Sequence, residues 1–531
     1  MVDIKPEGNM DTNNDNKTSM LKAGENTADM GPMLNAYPDS MGGTLKDIAN
    51  LLKDDKLKGA FSSFYILPSL YNTDLDRGFS VIDYDLNKDL ADRSDLDALQ
   101  DEGIDLKLDF ILNHASVQSP QFRDLLEKGE ESEYADFFIN WNKFWEGCGE
   151  MTDEGYIQPD EKYLKDMFFR KPGLPLLMVK MPDGSKVPYW NTFYQEVLSD
   201  SAPHRDIMER SGIPYLGQMD LNIGSDLVWE FYEDTLKKLA GYGAKIVRLD
   251  AFAYAPKSPG KKNFLNEPET WDVLERVRGI ADGYGLKLLP EIHAAYSEGI
   301  YEKIAGKGYM TYDFFLPGLM IHAIEKGDPR LLAEWAGEIL NKDIKTVNML
   351  GCHDGIPVLD LKGLLAGEEI QDLIDLIVSR GGYVKDLHGA KNMYYQVNAT
   401  YYSALGEDDK KMALARAIQL FMPGKPQVWY LDLFAGCNDH EAVKRAGDGG
   451  HKEINRTNLT LDDIKKALEK DVVKEQIELL KMRSTHPAFS GDSKITVSSQ
   501  GSILTIKWEN EKACITLDAD LANLTYSING K

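Results

Sequence analysis

Residues 226–252 read DLVWEFYEDTLKKLAGYGAKIVRLDAF, and the change of rhythm inside this stretch decides the fold. As far as Ala240 the apolar side chains recur at three- and four-residue intervals, one face of a helix. From Ala244 they run together into a short strand that closes on Arg248 and Asp250. A helix that turns through Gly and enters an apolar strand is half of a βαβ unit. Working outward, the same alternation recurs. Strand-like runs lie at MLNAY (33–37), FSSFYILP (61–68), LKLDFILNH (106–114), KIVRLDAF (245–252), KLLPEIH (287–293), YMTYDFFLP (309–317), TVNMLGCHD (346–354) and KPQVWYLDLFAG (425–436). Strands separated by helices imply right-handed crossovers and a parallel sheet. Eight such units predict an α/β chain folded as a (β/α)8 barrel with its site at the C-terminal ends of the strands. A doubly wound open sheet is the alternative, but no Gly-rich phosphate loop follows the first strand.

The spacing also predicts the appendages. Residues 1–31 carry no apolar run and read as a disordered leader rather than a secretory signal. The barrel is expected over 32–117, 220–355 and 407–490. The aromatic- and Pro-rich stretch 118–219 is far too long for a βα loop and reads as an inserted domain, and 356–406 as a second inserted region. From 491 to 531 the pattern switches to short alternating runs, which predicts a small antiparallel β-domain.

The chain has 531 residues, 43% of them hydrophobic and 27% charged, with a formal net charge of −26. That balance opposes nucleic acid and anionic membranes, since phosphate backbones are bound by clustered Lys and Arg. Cys148, Cys352, Cys437 and Cys514 are scattered without metal-ligand spacing. They read as reduced thiols of a cytoplasmic protein. Expected partners are small molecules, with the chain itself a monomer or homodimer.

Polar residues gather where a barrel places catalysts: His114 after the third strand, Arg248 and Asp250 at the fourth, Glu291 and His293 at the fifth, His353 and Asp354 after the seventh. Singly, each has a bland reading, because an Asp after a strand more often caps a helix. Together they fit glycosyl transfer with retention, which uses one ionised carboxylate as nucleophile and a protonated one as acid, roughly 5–5.5 Å apart. The proton that step needs predicts a raised pKa for Glu291 beside Asp250. Arg248, two residues before Asp250, falls on the same side of the strand.

ILNH, RLDAFAY, LLPEIH and CHDGIPV resemble the four signature regions of the α-amylase superfamily, glycoside hydrolase family 13. LNAYPDSMGGTLKD, DRGFSVIDY, EPETWDVLERVR, YQVNATYYSALG, GKPQVWY and EINR are similar to its sucrose phosphorylase subfamily, from about residue 33 to 490. The resemblance implies Asp250 as nucleophile, Glu291 as acid/base and Asp354 as transition-state stabiliser. It implies that Asp76, Phe79, His114, Arg248, His353 and Arg456 hold the glucosyl unit, and that Gln218, Tyr395 and Gln396 face the acceptor. Arg170 and Lys171, in FFRKPGLP, fall where the family places acceptor-side basic residues; binding a phosphoryl group, of the acceptor or of the attacking inorganic phosphate, is favoured over merely solvating a loop. No metal or cofactor is implied.

The implied reaction is phosphorolysis of sucrose, or of its 6-phosphate on the fructosyl unit, to α-glucose 1-phosphate, with plain sucrose slightly ahead on overall resemblance. Glucosylglycerol or glucosylglycerate phosphorolysis and simple hydrolysis are the alternatives. The acceptor side departs from the family: INRTNLT stands for the usual INRHYY, and CHDGIPV is closer to branches acting on the 6-phosphate, whereas YYQVN keeps the tyrosine of plain sucrose phosphorylases.

Overall fold

The structure, a computed structural model, describes residues 30–167, 173–194, 217–386, 394–447 and 450–530. Eight parallel strands form its centre: β1 (Met33–Ala36), β2 (Ser63–Ile66), β3 (Asp105–Ile111), β4 (Ala244–Asp250), β5 (Lys287–Pro290), β6 (Thr311–Asp313), β7 (Thr346–Met349) and β8 (Lys425–Trp429). Their order is β5-β4-β3-β2-β1-β8-β7-β6, a cyclic sequence in which β5 and β6 meet without a hydrogen-bonded ladder. The expected barrel is therefore present, with one open seam. Six strands lie within the segments read for them and β3 and β4 start one residue earlier, at Asp105 and Ala244; the last apolar run is only partly strand, because Tyr430–Leu433 turns into helix.

Helices cover the outside: α1 (Leu45–Lys53), α2 (Arg93–Asp101), α3 (Asp226–Gly241), α4 (Glu269–Gly283), α5 (Ile300–Gly306), α6 (Leu316–Lys326), α7 (Arg330–Asn341), α8 (Asp409–Phe421) and α9 (Asp471–Thr485). Their starts are written locally. Thr44 with Asp47 and Asp92 with Asp95 form reciprocal capping boxes that satisfy the first free N–H groups of α1 and α2. Helix α3 turns Val228, Trp229, Tyr232, Leu236 and Leu239 inward. Each aliphatic side chain so buried contributes about 1.5–3 kcal/mol.

The barrel interior is more polar than an apolar reading of its strands suggests. Lys107 of β3 is fully buried, donates to Gln427 of β8 at 2.7 Å and to the Tyr312 hydroxyl of β6, and lies 3.8 Å from the Tyr65 ring centroid. Burial of this ammonium without partners would be costly, so the network is what allows it there.

Over the barrel mouth, His114–Ser116 pairs antiparallel with Gly217–Asp220, which pairs in turn with Phe193–Tyr194. A separate aromatic cluster of Trp141, Trp145 and Trp190 sits in the long excursion after β3. After β7, Ile356–Pro357, Tyr383–Asp386 and Tyr394–Asn398 make a second small antiparallel sheet. The chain ends in a four-stranded meander, β9 (Lys494–Gln500), β10 (Ile503–Glu509), β11 (Cys514–Asp520) and β12 (Thr525–Gly530). Its inner face carries Leu504, Ile506, Trp508, Ile515 and Leu517 into the barrel's own core, against α8. The four cysteines are free thiols, and no helix among the described residues is long and apolar enough to cross a membrane.

Candidate active site

Strands β3, β4 and β5 lie side by side with Arg248 in register between Asp109 and Leu289. The Glu291 N–H donates to the Leu249 carbonyl at 3.2 Å and extends that ladder by one step. Register alone thus brings three acids to one guanidinium. Arg248 Nη1 lies 2.6 Å from Asp109 Oδ1 and 2.9 Å from Asp250 Oδ1, and Nη2 lies 2.5 Å from Glu291 Oε1. Arg248 is 2% exposed, whereas the Asp250 and Glu291 side chains are each 15% exposed and open to the pocket. A planar fork with two separately engaged nitrogens fixes two carboxylates at a set spacing, which a lysine could not do.

Two like charges in this burial do not titrate independently. Burial, against the pull of Arg248, pushes Asp250 up to about 8. Burial also acts to raise Glu291, but Arg248 and then His293 outweigh it and hold Glu291 below its ordinary value. The raised affinity expected of Glu291 is therefore found on its partner. The reason is geometric: Arg248 makes its shortest contact with Glu291, and His293 Nε2 stands 3.9 Å from the same oxygen. His293 is itself fixed by Asp360, whose Oδ2 lies 3.1 Å from Nδ1, and by a stacked Phe314 at 3.8 Å.

Across the pocket, both Asp354 oxygens are engaged. His353 Nε2 approaches Oδ2 at 3.1 Å, while Lys452 Nζ and, at 3.5 Å, Arg456 Nη2 approach Oδ1. Burial would raise Asp354, but His353 and Lys452 dominate and hold it well below the carboxylate range. Asn398 Nδ2 donates to the Asp354 carbonyl at 2.6 Å, and Arg456 Nε to the His353 carbonyl at 2.9 Å. The loop after β7 is thereby clamped from two sides. Phe79 stacks on His353 with centroids 5.2 Å apart and planes 11° from parallel. The Phe79 carbonyl accepts from both His114 Nε2 and Gln218 Nε2 at 3.0 Å, so His114 carries its proton on Nε2.

Asp250, Glu291, Asp354, Arg248, His353, Arg456, Phe79, His114 and Gln218 thus share one pocket. Arg77 donates to the Arg456 carbonyl at 2.6 Å, so the turn that contains Asp76 abuts Arg456; the Asp76 side chain lies outside the described residues. Gln396 is buried in register with Pro357 and Lys385 in the small sheet behind Asp354. The Tyr395 side chain, Arg170 and Lys171 lie outside the described residues.

Three site residues escaped sequence reasoning. Asp109 had a signal, since Lys107 and Asp109 put two ionisable groups on one side of an otherwise apolar strand. Asp360 and Lys452 had none: each meets the pocket only through a long loop. Among the described residues, no group of His, Cys, Asp or Glu is arranged to hold a metal.

No family model matches the chain. It is 54% identical over 505 residues to sucrose 6(F)-phosphate phosphorylase of Ilumatobacter coccineus, covering 93% of this chain and 95% of that one. It is 34% identical over 504 residues to sucrose phosphorylase of Streptococcus mutans, covering 93% and 96%. Among solved structures, sucrose 6F-phosphate phosphorylase from Thermoanaerobacter thermosaccharolyticum superposes with a TM-score of 0.84 at 33% identity, over 96% of each chain. An α-amylase from H. orenii, 16% identical with a TM-score of 0.62, shares the fold. With this likeness running along nearly its whole length, the chain belongs to the sucrose phosphorylase family, a family of hexosyltransferases built on the α-amylase barrel.

Proposed function

We propose that the protein is a retaining phosphorylase of sucrose 6-phosphate, phosphorylated on the fructosyl unit, with sucrose as a second substrate. The 54% identical relative supports the phosphorylated donor and reverses the order in which sequence resemblance ranked the two. The single observation that carries the chemistry is the Arg248 guanidinium bridging Asp250 and Glu291.

In the first step Asp250 attacks the anomeric carbon. The bond from that carbon to the fructosyl oxygen breaks, and Glu291 gives the departing oxygen its proton. The pair holds that one proton in common, and the approach of the glycosidic oxygen to Glu291 and of the anomeric carbon to Asp250 selects the microstate with Glu291 protonated. Asp354, kept ionised by His353 and Lys452, opposes the positive charge that develops on the sugar ring. In the second step an oxygen of inorganic phosphate attacks the β-glucosyl ester and passes its proton to Glu291. The ester bond breaks with its electron pair returning to Asp250, and two inversions leave α-glucose 1-phosphate. Glucosylglycerol and glucosylglycerate have no better support as donors.

The test is incubation of sucrose 6-phosphate and of sucrose with and without inorganic phosphate. Phosphate-dependent glucose 1-phosphate, formed with the larger kcat/KM from the 6-phosphate, is the expected result. Glucose release that ignores phosphate would make the protein a hydrolase.

A further inference from the structure

A phosphorylase must admit a phosphoryl dianion beside three carboxylates, in a chain of formal net charge −26. A cation within reach of the reacting carbon has to offset that field. The described cations around the pocket differ sharply in what they can offer. Arg248 is 2% exposed and already serves Asp109, Asp250 and Glu291. Arg456 is 2% exposed, with its nitrogens turned to the His353 carbonyl, Asp354 and Glu453. Lys257 is 1% exposed and held by Asp220 at 2.7 Å and Asn113 at 2.8 Å. Arg77 spends its guanidinium on Asp39, Glu453 and the Arg456 carbonyl, over the Tyr37 ring.

Lys452 is different. Its side chain is 18% exposed, and its ammonium is paired with Asp354, a carboxylate of the reaction itself. Arg456, four residues further on, anchors the same segment through the His353 carbonyl and reaches the same Asp354 oxygen, so the ammonium is held at that carboxylate by a fixed stretch of chain. Asp354 has both oxygens occupied by His353 and Lys452. A sugar hydroxyl that engages Asp354 competes with these donors, and the rotatable, three-donor ammonium is the partner that can turn part of its capacity elsewhere at least cost.

Resting on the phosphorylase reading above, we propose that Lys452 is a specificity-determining residue that binds the phosphoryl group of the second reaction partner once the sugar engages Asp354. That group belongs either to inorganic phosphate or to the 6-phosphate of the fructosyl unit. Its recognition by Lys452 is that of a point charge donating to phosphoryl oxygens.

The experiment compares the native enzyme with Lys452→Met and Lys452→Arg. One arm measures KM for inorganic phosphate at saturating sucrose 6-phosphate. The other measures KM for fructose 6-phosphate and for fructose, with glucose 1-phosphate as donor. In Lys452→Met, KM for one phosphoryl partner rises about ten-fold or more, the loss of one charge-assisted contact, while kcat falls less and KM for fructose moves little. Lys452→Arg recovers most of the loss. A rise for inorganic phosphate assigns Lys452 to the nucleophile, and a rise for fructose 6-phosphate assigns it to the leaving group. The proposal is overturned if neither KM rises beyond about three-fold, if kcat falls equally with every acceptor, or if the arginine variant is no better than methionine. A native enzyme that forms no glucose 1-phosphate would overturn the phosphorylase reading instead.

Discussion

At the scale of single residues, the pocket is organised by what each carboxyl shares. Glu291→Gln removes the proposed proton donor and keeps the shape. Turnover of sucrose 6-phosphate should fall about 10²- to 10⁴-fold. α-Glucosyl fluoride, whose leaving group needs no proton, should lose far less, and equal losses on the two substrates would remove Glu291 from its role. Asp250→Ala should leave no measurable turnover of either substrate. The pair's proton also sets a pH limit. With Asp250 pushed up to about 8, kcat/KM should decline above that value as the shared proton is lost, in a profile followed with free enzyme at low substrate. Stability carries the same signature with a definite sign. The folded value lies above the ordinary 3.8, so the folded chain holds the proton more tightly than the unfolded one. Stability from this group is present at low pH and is lost as pH rises through about 8. Asp250→Asn removes that penalty, and its gain in Tm over the native protein should be larger at pH 9 than at pH 5.

At the scale of elements, strand register and two loops do the positioning. Arg248 meets Asp109 because β3 and β4 pair in that register; a slip of one residue would turn Arg248 out of the barrel. The loop after β7 depends on Gly355, at φ +105°, where an added Cβ would stand 2.5 Å from the Val397 carbonyl oxygen and 3.0 Å from Asn398 Cα. Neither backbone atom can yield cheaply, and the same Asn398 holds Asp354. Gly355→Ala should therefore cost about 1–3 kcal/mol of stability in denaturant unfolding and lower kcat as Asp354 shifts. Unchanged kcat would show that the clamp on Asp354 is dispensable. The signal for these elements was partly legible. Each barrel strand could be found from its apolar run, and the carboxylate, guanidinium and imidazole positions at strand ends could be read directly. The interior of the barrel could not, because Lys107 and Asp109 look like ordinary interruptions until Gln427, Tyr312 and Arg248 stand opposite them.

At the scale of the molecule, the terminal sheet is part of the barrel's core rather than a satellite. Trp508 is fully buried, donates to the Phe421 carbonyl at 2.7 Å and packs against Phe489 and the Arg483 guanidinium. Trp508→Ala should cost about 3–5 kcal/mol and lower the thermal transition of the barrel and sheet together, read by calorimetry. A separate early transition, with the barrel's own unchanged, would mean that the sheet folds independently.

The amino-acid sequence by itself determined the order of strands and helices, the caps that start α1 and α2, and the placement of Asp250, Glu291 and Asp354 at strand ends. Periodicity and capping are local, and they report which face of an element is buried. Only the tertiary structure decided what lies across from that face. It put Arg248 closest to Glu291 and so moved the raised affinity to Asp250, closed Lys107 between β6 and β8, and brought Lys452 onto Asp354 from 98 residues away. Distances through space between remote segments leave no trace in spacing along the chain, and the charges that tune this pocket are set by those distances.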